Sequence, residues 1–266
     1  HECGRQDDLM KDESPFMEGE QLLQRKDWLE IVRRYSSRNL TKESDKLPAL
    51  SGLAHEYCAR WGGEYLAGLW RQDLWKNLLW RRNETYALPE PRRPSEYRAP
   101  TWSWASLDGR IEFVGPASVT DEAKIIIENV IMDLAGSDPM GQVSSGTIRV
   151  RGVLIKMDAY GNIPKRLGIK LKKCYDVPGE VRPETSARDQ YLLWICKPSG
   201  LILRRALEHS SAEQNVPQAL PISDFERVGY FSTKAGAELD GFWSNVKMEG
   251  LHEHRRFIYP ELIHLI

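Results

Sequence analysis

Apolar positions along the chain change period once. Up to about residue 81 they recur every three or four residues, and beyond residue 100 they alternate. Trp28, Ile31, Val32 and Tyr35 follow the i, i+3, i+4, i+7 spacing of one helix face, with Glu30, Arg33 and Arg34 mostly on the other. This predicts a helix over 18–35, broken by Ser36, Ser37, Asn39 and Thr41. A second helix is predicted over 44–60, with Leu47, Leu50, Leu53, Ala54 and Tyr57 as its stripe. Thr41 and Ser44 are candidate N-caps, since a side-chain oxygen there can accept from the free first-turn amides. Pro48 is tolerable only in the first turn, where its absent N–H costs nothing. Gly62-Gly63 ends the helix, because glycine takes the left-handed cap conformation cheaply. A third helix is predicted over 64–81 from Leu66, Leu69, Trp70, Leu74, Trp75, Leu78 and Leu79. A helix so rich in Trp and Leu needs other elements to cover it.

Pro89, Pro91, Pro94 and Pro100 end the helical part and favour extended chain. The pairs Arg81-Arg82 and Arg92-Arg93 suggest a phosphate or partner site. Glu84, Glu90 and Glu96 offset them and read the stretch as a solvated connection. From Thr101 to Ser106 small polar residues alternate with aromatic ones, the two-residue period of a strand. Asp108-Gly109 is a turn signal and 111–114 a return strand. Further strands are predicted over 123–134, 147–157 (with room for a bulge at Gly152), 191–196, 201–203, 225–231 and 256–266, the last broken at Pro260. Pro198-Ser199-Gly200 is a second turn. Long polar insertions fall at 161–188 and 208–221. The expected fold is α+β, an N-terminal helical layer packed on a mostly antiparallel β C-terminal part. Its expected divisions are a polar tail over 1–17, a helical region over 18–81, a Pro/Arg-rich connection over 82–100 and a β-rich region over 101–266.

Composition narrows the function classes. The 266 residues are 41% hydrophobic and 28% charged, which excludes a disordered tail. No run approaches the ~18 apolar residues of a membrane span. Lys plus Arg is 37 and Asp plus Glu is 38, so the basic excess of a nucleic-acid binder is absent. The four cysteines, Cys3, Cys58, Cys174 and Cys196, form no CxxC pair and are too few for a disulfide scaffold. Reduced thiols and a cytoplasmic location are the expectation.

Catalytic motifs are lacking: there is no GxSxG, HExxH, P-loop, GxGxxG or EF-hand loop. His252 and His254 would share a strand face and could bind a metal, but no third ligand is placed. Cys58 or Cys196 would need a neighbouring base to act as a nucleophile, and His55 lies one helical turn from Cys58. The expectation is no catalytic residue, no metal and no cofactor. Seven of nine tryptophans fall between Trp28 and Trp104. An exposed cluster would suit stacking on sugars or bases, whereas helical spacing of Trp70, Trp75 and Trp80 favours packing.

Four blocks resemble the region that follows the HET domain in fungal heterokaryon-incompatibility proteins. They are Trp28 through Ala54 (with YSSRNLT at 35–41 and DKLPALSGLA at 45–54), YLAGLW at 65–70, LLW at 78–80, and YRAPTWSWAS at 97–106. The last is similar to the family's "aPSWSWAS" segment, with Thr101 in the usual Ser place. GLIL at 200–203 and FERVGYF at 225–231 resemble weaker C-terminal blocks, and His1-Glu2-Cys3 looks like the tail of the segment that closes the HET domain. The resemblance implies that the HET domain precedes residue 1. It implies a role in non-self recognition and programmed cell death. Any NAD-cleaving activity would belong to that preceding domain.

Two functions follow. One is a non-enzymatic companion region that braces the HET domain in cis and offers surface to a protein partner, with no nucleic acid and no membrane involved. Trp102, Trp104, Asp45 and Arg98 are its candidate residues, since interfaces concentrate energy in aromatics and arginine. The same residues can be structural, the tryptophans filling a junction and Asp45 capping a helix. The other function is an enzyme or small-ligand-binding domain with an aromatic pocket between helical layer and sheet, lined by Tyr97, Arg98, Trp102, Trp104 and His55.

Overall fold

The computed structural model describes residues 27–85, 90–115, 122–158, 160–179, 189–206, 223–234, 237–244 and 261–266. It is α+β, with helices in the N-terminal part and a mostly antiparallel sheet in the C-terminal part. The chain divides into two compact units. One takes the residues up to Phe113 together with Met132–Gly146; the other takes Val114–Ile131 and Thr147–Ile266. The division thus falls after Phe113, beyond the proline-rich stretch.

The first unit opens with helix α1 (27–36), whose inward face carries the fully buried Trp28 and Val32. A 3-10 turn, Glu43–Lys46, leads into α2 (Pro48–Trp61). Pro48 sits in the first turn, and Gly62 ends the helix at φ 67° with its N–H on the Cys58 carbonyl. Neither Thr41 nor Ser44 caps it. The flanking residues are Lys42 before the 3-10 turn and Leu47 before α2, and neither makes a side-chain cap. The turn runs directly into α2, so the Asp45 and Leu50 amides find the carbonyls of Lys42 and Leu47 instead.

The helix expected over 64–81 is absent. In its place stand strands β1 (Tyr65–Leu66) and β2 (Leu69–Trp70), a short helix α3 (Leu74–Asn77) and strand β3 (Trp80–Arg82). The cause is local: Ala67 at φ 44° and Gly68 at φ 94° are both left-handed, which no α-helix can pass through. Consecutive positive φ values make the tight turn that matches the twist of a hairpin. Tyr65 to Trp70 are all buried, so the apolar spacing there marks a segment covered on every side rather than one helix face.

The strand expected over Thr101–Ser106 is also absent. Thr101-Trp102 form a turn and Trp104–Ser106 a 3-10 helix, capped by the Ser103 hydroxyl accepting from the Ala105 amide at 3.1 Å. Ser103 gives the backbone a local partner and so competes with strand pairing. Strand β4 (Ile111–Phe113) therefore pairs with β3 instead, Trp80 opposite Phe113. The far ends of strands β5 (Ile125–Leu134) and β6 (Val143–Gly152) and the turn between them complete this unit.

In the second unit, β6 continues past Val153 as β7 (Leu154–Lys156). The remaining strands are β8 (Leu171–Tyr175), β9 (Gln190–Cys196), β10 (Ser199–Arg205), β11 (Ser223–Thr233) and β12 (Glu261–Leu265), with helix α4 (Ala237–Ser244) before the last. The order is β5-β6-β12-β11-β10-β9-β7, with β8 also on β11. Because β6 and β7 are one stretch of chain, the ladder returns to the strand it left, closing a small barrel. The expected bulge position, Gly152, is where this stretch exchanges partner β12 for partner β9. A Cβ there would meet Leu193 Cδ1 at 2.7 Å and Ile125 Cγ2 at 2.8 Å, so any larger residue at this corner makes those side chains shift. The core packs Trp194, Phe231, Val228 and Ile202 against Leu239 and Phe242 of α4. Strands expected over 123–134, 147–157, 191–196, 201–203 and 225–231 are present within a few residues; β8 and α4 were not expected from the sequence. The insertion over 208–221 and residues 256–260 lie outside the described residues.

Candidate functional site

Arg98 is the one proposed site residue that sits among other chemistry-bearing groups. Its side chain is 2% exposed. Nε donates to the Ala105 carbonyl at 2.6 Å and Nη1 to the Glu43 carbonyl at 3.3 Å. Nη2 lies 2.9 Å from Asp108 Oδ1, yet it makes no hydrogen bond with acceptable direction, so that contact is Coulombic only. Asp108 also faces Lys46 Nζ at 3.6 Å and Arg92 Nη2 at 3.3 Å. Arg92 in turn reaches Glu43 at 2.5 Å.

Local structure explains the convergence. In the Glu43–Lys46 turn, side chains three residues apart eclipse, so Glu43 and Lys46 lie on one face toward the cluster, Glu43 half-buried and Lys46 buried. Lys46 is 1% exposed and donates to the Ser36 carbonyl at the end of α1. An isolated bridge between Arg92 and Asp108 holds the proline-rich stretch against the turn after Trp104–Ser106. Burial pulls the Lys46 ammonium down to about 8; the nearby Arg98 adds to the effect and Asp108 opposes it. A cavity of about 110 Å³ opens here, lined by Arg38, Asn39, Leu40, Glu43, Arg92, Arg98 and Asp108.

The other candidates do not join Arg98. Trp102 and Trp104 are fully buried. Trp102 Nε1 donates to the Gly146 carbonyl at 3.2 Å, and Trp104 Nε1 to the Gly68 carbonyl at 3.1 Å. No face of either ring is open to a ligand or partner. They do not lie on one strand face as the alternation implied, because the segment is a turn and a 3-10 helix. Tyr97 is 52% exposed, and its hydroxyl is pushed up to about 12, by desolvation first and by the Asp133 carboxylate second. Asp45 is exposed and caps no helix; its carboxylate accepts only a long 3.5 Å bond from Ser44. Of the arginine pairs, Arg81 bonds Glu112 and Arg82 lies 3.7 Å from Glu84, so only one of the three expected glutamates is seen in that role.

The expected free thiol at Cys58 is not present: Cys58 is disulfide-bonded. Spacing along the sequence carries no sign of such a pairing. An oxidised Cys58 has no thiolate, and it faces the core while His55 faces outward, 2.9 Å from Asp138. The Cys58–His55 pair is therefore no dyad. Cys174 and Cys196 are buried thiols outside any disulfide. Among the described residues no three His, Cys, Asp or Glu side chains converge on a metal position. His252 and His254 lie outside the described residues. Among the described residues no helix is long and apolar enough to cross a membrane.

Sequence reasoning missed Glu43, Lys46 and Asp108, and it places Arg92 only in a pair that suggests a phosphate or partner site but reads as a solvated connection. A buried Lys gives no sign in a stretch of alternating charge, and Asp108 read only as a turn residue. Comparison with protein-family models, curated proteins and solved structures gives no match to the chain.

Proposed function

We propose that the chain is the C-terminal companion region of a HET-type heterokaryon-incompatibility protein, a non-enzymatic scaffold that supports the HET domain in cis and presents surface to a protein partner. One observation supports this reading. The blocks that carry the resemblance interlock at a single turn. Trp28 and Trp104 both donate to the Gly68 carbonyl, Ser103 donates to the Ala67 carbonyl at 2.6 Å, and Trp80 donates to the Trp102 carbonyl at 2.8 Å. Each block thus holds residues that the others need, as expected if the resemblance reflects a shared fold. Cell-death signalling in the fungal cytoplasm belongs to the same proposal. The reading of an enzyme with an aromatic pocket draws less support, because Trp102 and Trp104 are fully buried with both indole N–H groups engaged.

The test is genetic. The coding sequence upstream of His1 is read, and the full gene is expressed with and without the segment described here, with incompatibility death scored. An in-frame HET domain whose killing needs this segment is the expected result. An unrelated upstream domain, or undiminished killing without the segment, would refute the proposal.

A further inference from the structure

The charged cluster around Arg98 holds more cation than its carboxylates balance. Lys46, Arg92 and Arg98 face Asp108 and Glu43, and Arg38 adds a further guanidinium to the cavity wall. Lys46 and Arg98 are nearly without solvent. The excess lies at the exposed Arg38 and Arg92, which face solvent at the cavity, while Lys46 and Arg98 meet Asp108 out of water. One buried N–H-bearing atom, Arg98 Nη2, has no directed acceptor in the protein, and Arg98 itself lines the cavity. The cavity volume of about 110 Å³ is several times the ~30 Å³ share of one water. It falls below the ~300–1,000 Å³ of pockets that take drug-sized ligands. Space, surplus cations and one guanidinium nitrogen without a directed acceptor therefore coincide. Guanidinium groups bind tetrahedral oxyanions through paired, charge-assisted hydrogen bonds, and Arg38, Arg92 and Arg98 all line this cavity.

We infer that this cavity is a small-oxyanion site, taking phosphate or the phosphate group of a monoester, with Arg98 as its buried floor and Arg38 and Arg92 at its mouth. The site does not rest on the HET reading. Glu43 and Asp108 set its selectivity: they hold the arginines in place and disfavour anions that cannot accept several hydrogen bonds at once. Chloride should therefore be a poor substitute.

The test uses the whole chain and isothermal titration at matched ionic strength, with sodium phosphate, O-phosphoserine and sodium chloride as three separate titrants. Arg38→Gln removes an exposed guanidinium without touching the core, and Arg149→Gln on β6 is the control. Saturable phosphate binding that Arg38→Gln weakens about tenfold, the loss of one charge-assisted bond, and that Arg149→Gln leaves unchanged, is the expected result. Phosphoserine binding alongside phosphate supports a site open to monoesters. Phosphate binding alone supports a site for the free anion. No saturable binding, binding that chloride matches, or equal affinity in Arg38→Gln overturns the inference. A melting scan of each variant confirms that folding is not what changed.

Discussion

Trp28 and Trp104 share one acceptor: both indole N–H groups donate to the Gly68 carbonyl, each at 3.1 Å. A carbonyl oxygen has two lone pairs, so the arrangement saturates it. The turn Ala67-Gly68 is thereby fixed from two directions, by helix α1 and by the 3-10 segment. Around it Trp28, Tyr57, Tyr65 and Trp70 pack with ring centroids 5.3–5.9 Å apart, several edge to face.

Trp104→Ala should therefore cost about 3–5 kcal/mol, a large share of a domain's stability. Urea unfolding of the soluble fraction, or its absence from that fraction, is the measurement. A variant as stable as the parent would mean that the indole is not structural.

Gly68→Ala should be severe for a different reason. A Cβ at φ 94° would lie 2.4 Å from Trp104 Nε1, in a conformation L residues avoid. A loss of at least about 2 kcal/mol is expected from overpacking and backbone strain together. Ala67→Gly, at φ 44°, should stay within about 1 kcal/mol of the parent, because relief of strain offsets the lost methyl. The two melting temperatures decide it.

Lys46 gives the fold a pH signature. Its folded value is lowered from 10.5 to about 8. Between those values the unfolded chain holds more protons, so stability attributable to Lys46 rises with pH across that window. Relative to Lys46→Met, the parent should gain about 2 kcal/mol between pH 8 and pH 9.5. Paired urea titrations at the two pH values measure the difference. A constant gap would show that Lys46 is not desolvated.

Asp138 supplies the opposite sign. Burial works to raise its carboxyl, but bonds from the Met140 amide, His55 and Ser51 outweigh this and hold it below its ordinary 3.8. Its contribution is complete above that value and lost as pH falls through the folded one. The protection factor of the Met140 amide, which donates to Asp138 at 3.0 Å, should fall as pH drops below 3.8. In His55→Ala the fall should begin at higher pH.

In the second unit Arg227 and Asp176 are both without solvent and bonded twice, at 3.2 and 3.3 Å. Asp176→Asn should cost about 3–5 kcal/mol by stranding the guanidinium, whereas the double replacement Asp176→Leu with Arg227→Met should recover most of it. Denaturation midpoints of the three variants check this; equal losses in the single and double variants would contradict it.

Period alone located most barrel strands and helices α1 and α2, because one face of each meets a core. It failed at Tyr65–Trp70 and at Trp102–Ser106, where every side chain is enclosed and spacing no longer distinguishes inside from outside. The backbone signals there were Gly68 and Ser103, a left-handed turn and a cap, and each outweighed the apolar pattern. Arg227 shows the same limit: alternation cannot say whether an inward Arg will find a carboxylate such as Asp176, which lies far off in the chain. Arg98 was singled out as a binding residue, but its partners come from Glu43–Lys46 and Asp108, pairings that only tertiary structure can supply.

Strand β12 lies between β6 and β11, parallel to the latter and antiparallel to the former. It is also the last described element in chain order. On the ribosome, where domains generally form as they emerge, β6 and β11 would each wait with one edge bare until Glu261–Leu265 cleared the exit tunnel. Until then the nascent barrel is an open ribbon, with the hydrogen-bonding rows of Ile148–Gly152 and Ser223–Phe225 free to recruit strands from neighbouring polysomal chains. Closure of this unit therefore waits on the last of its strands to be made, and its yield in a cell should depend on holdase chaperones more than its finished stability would suggest.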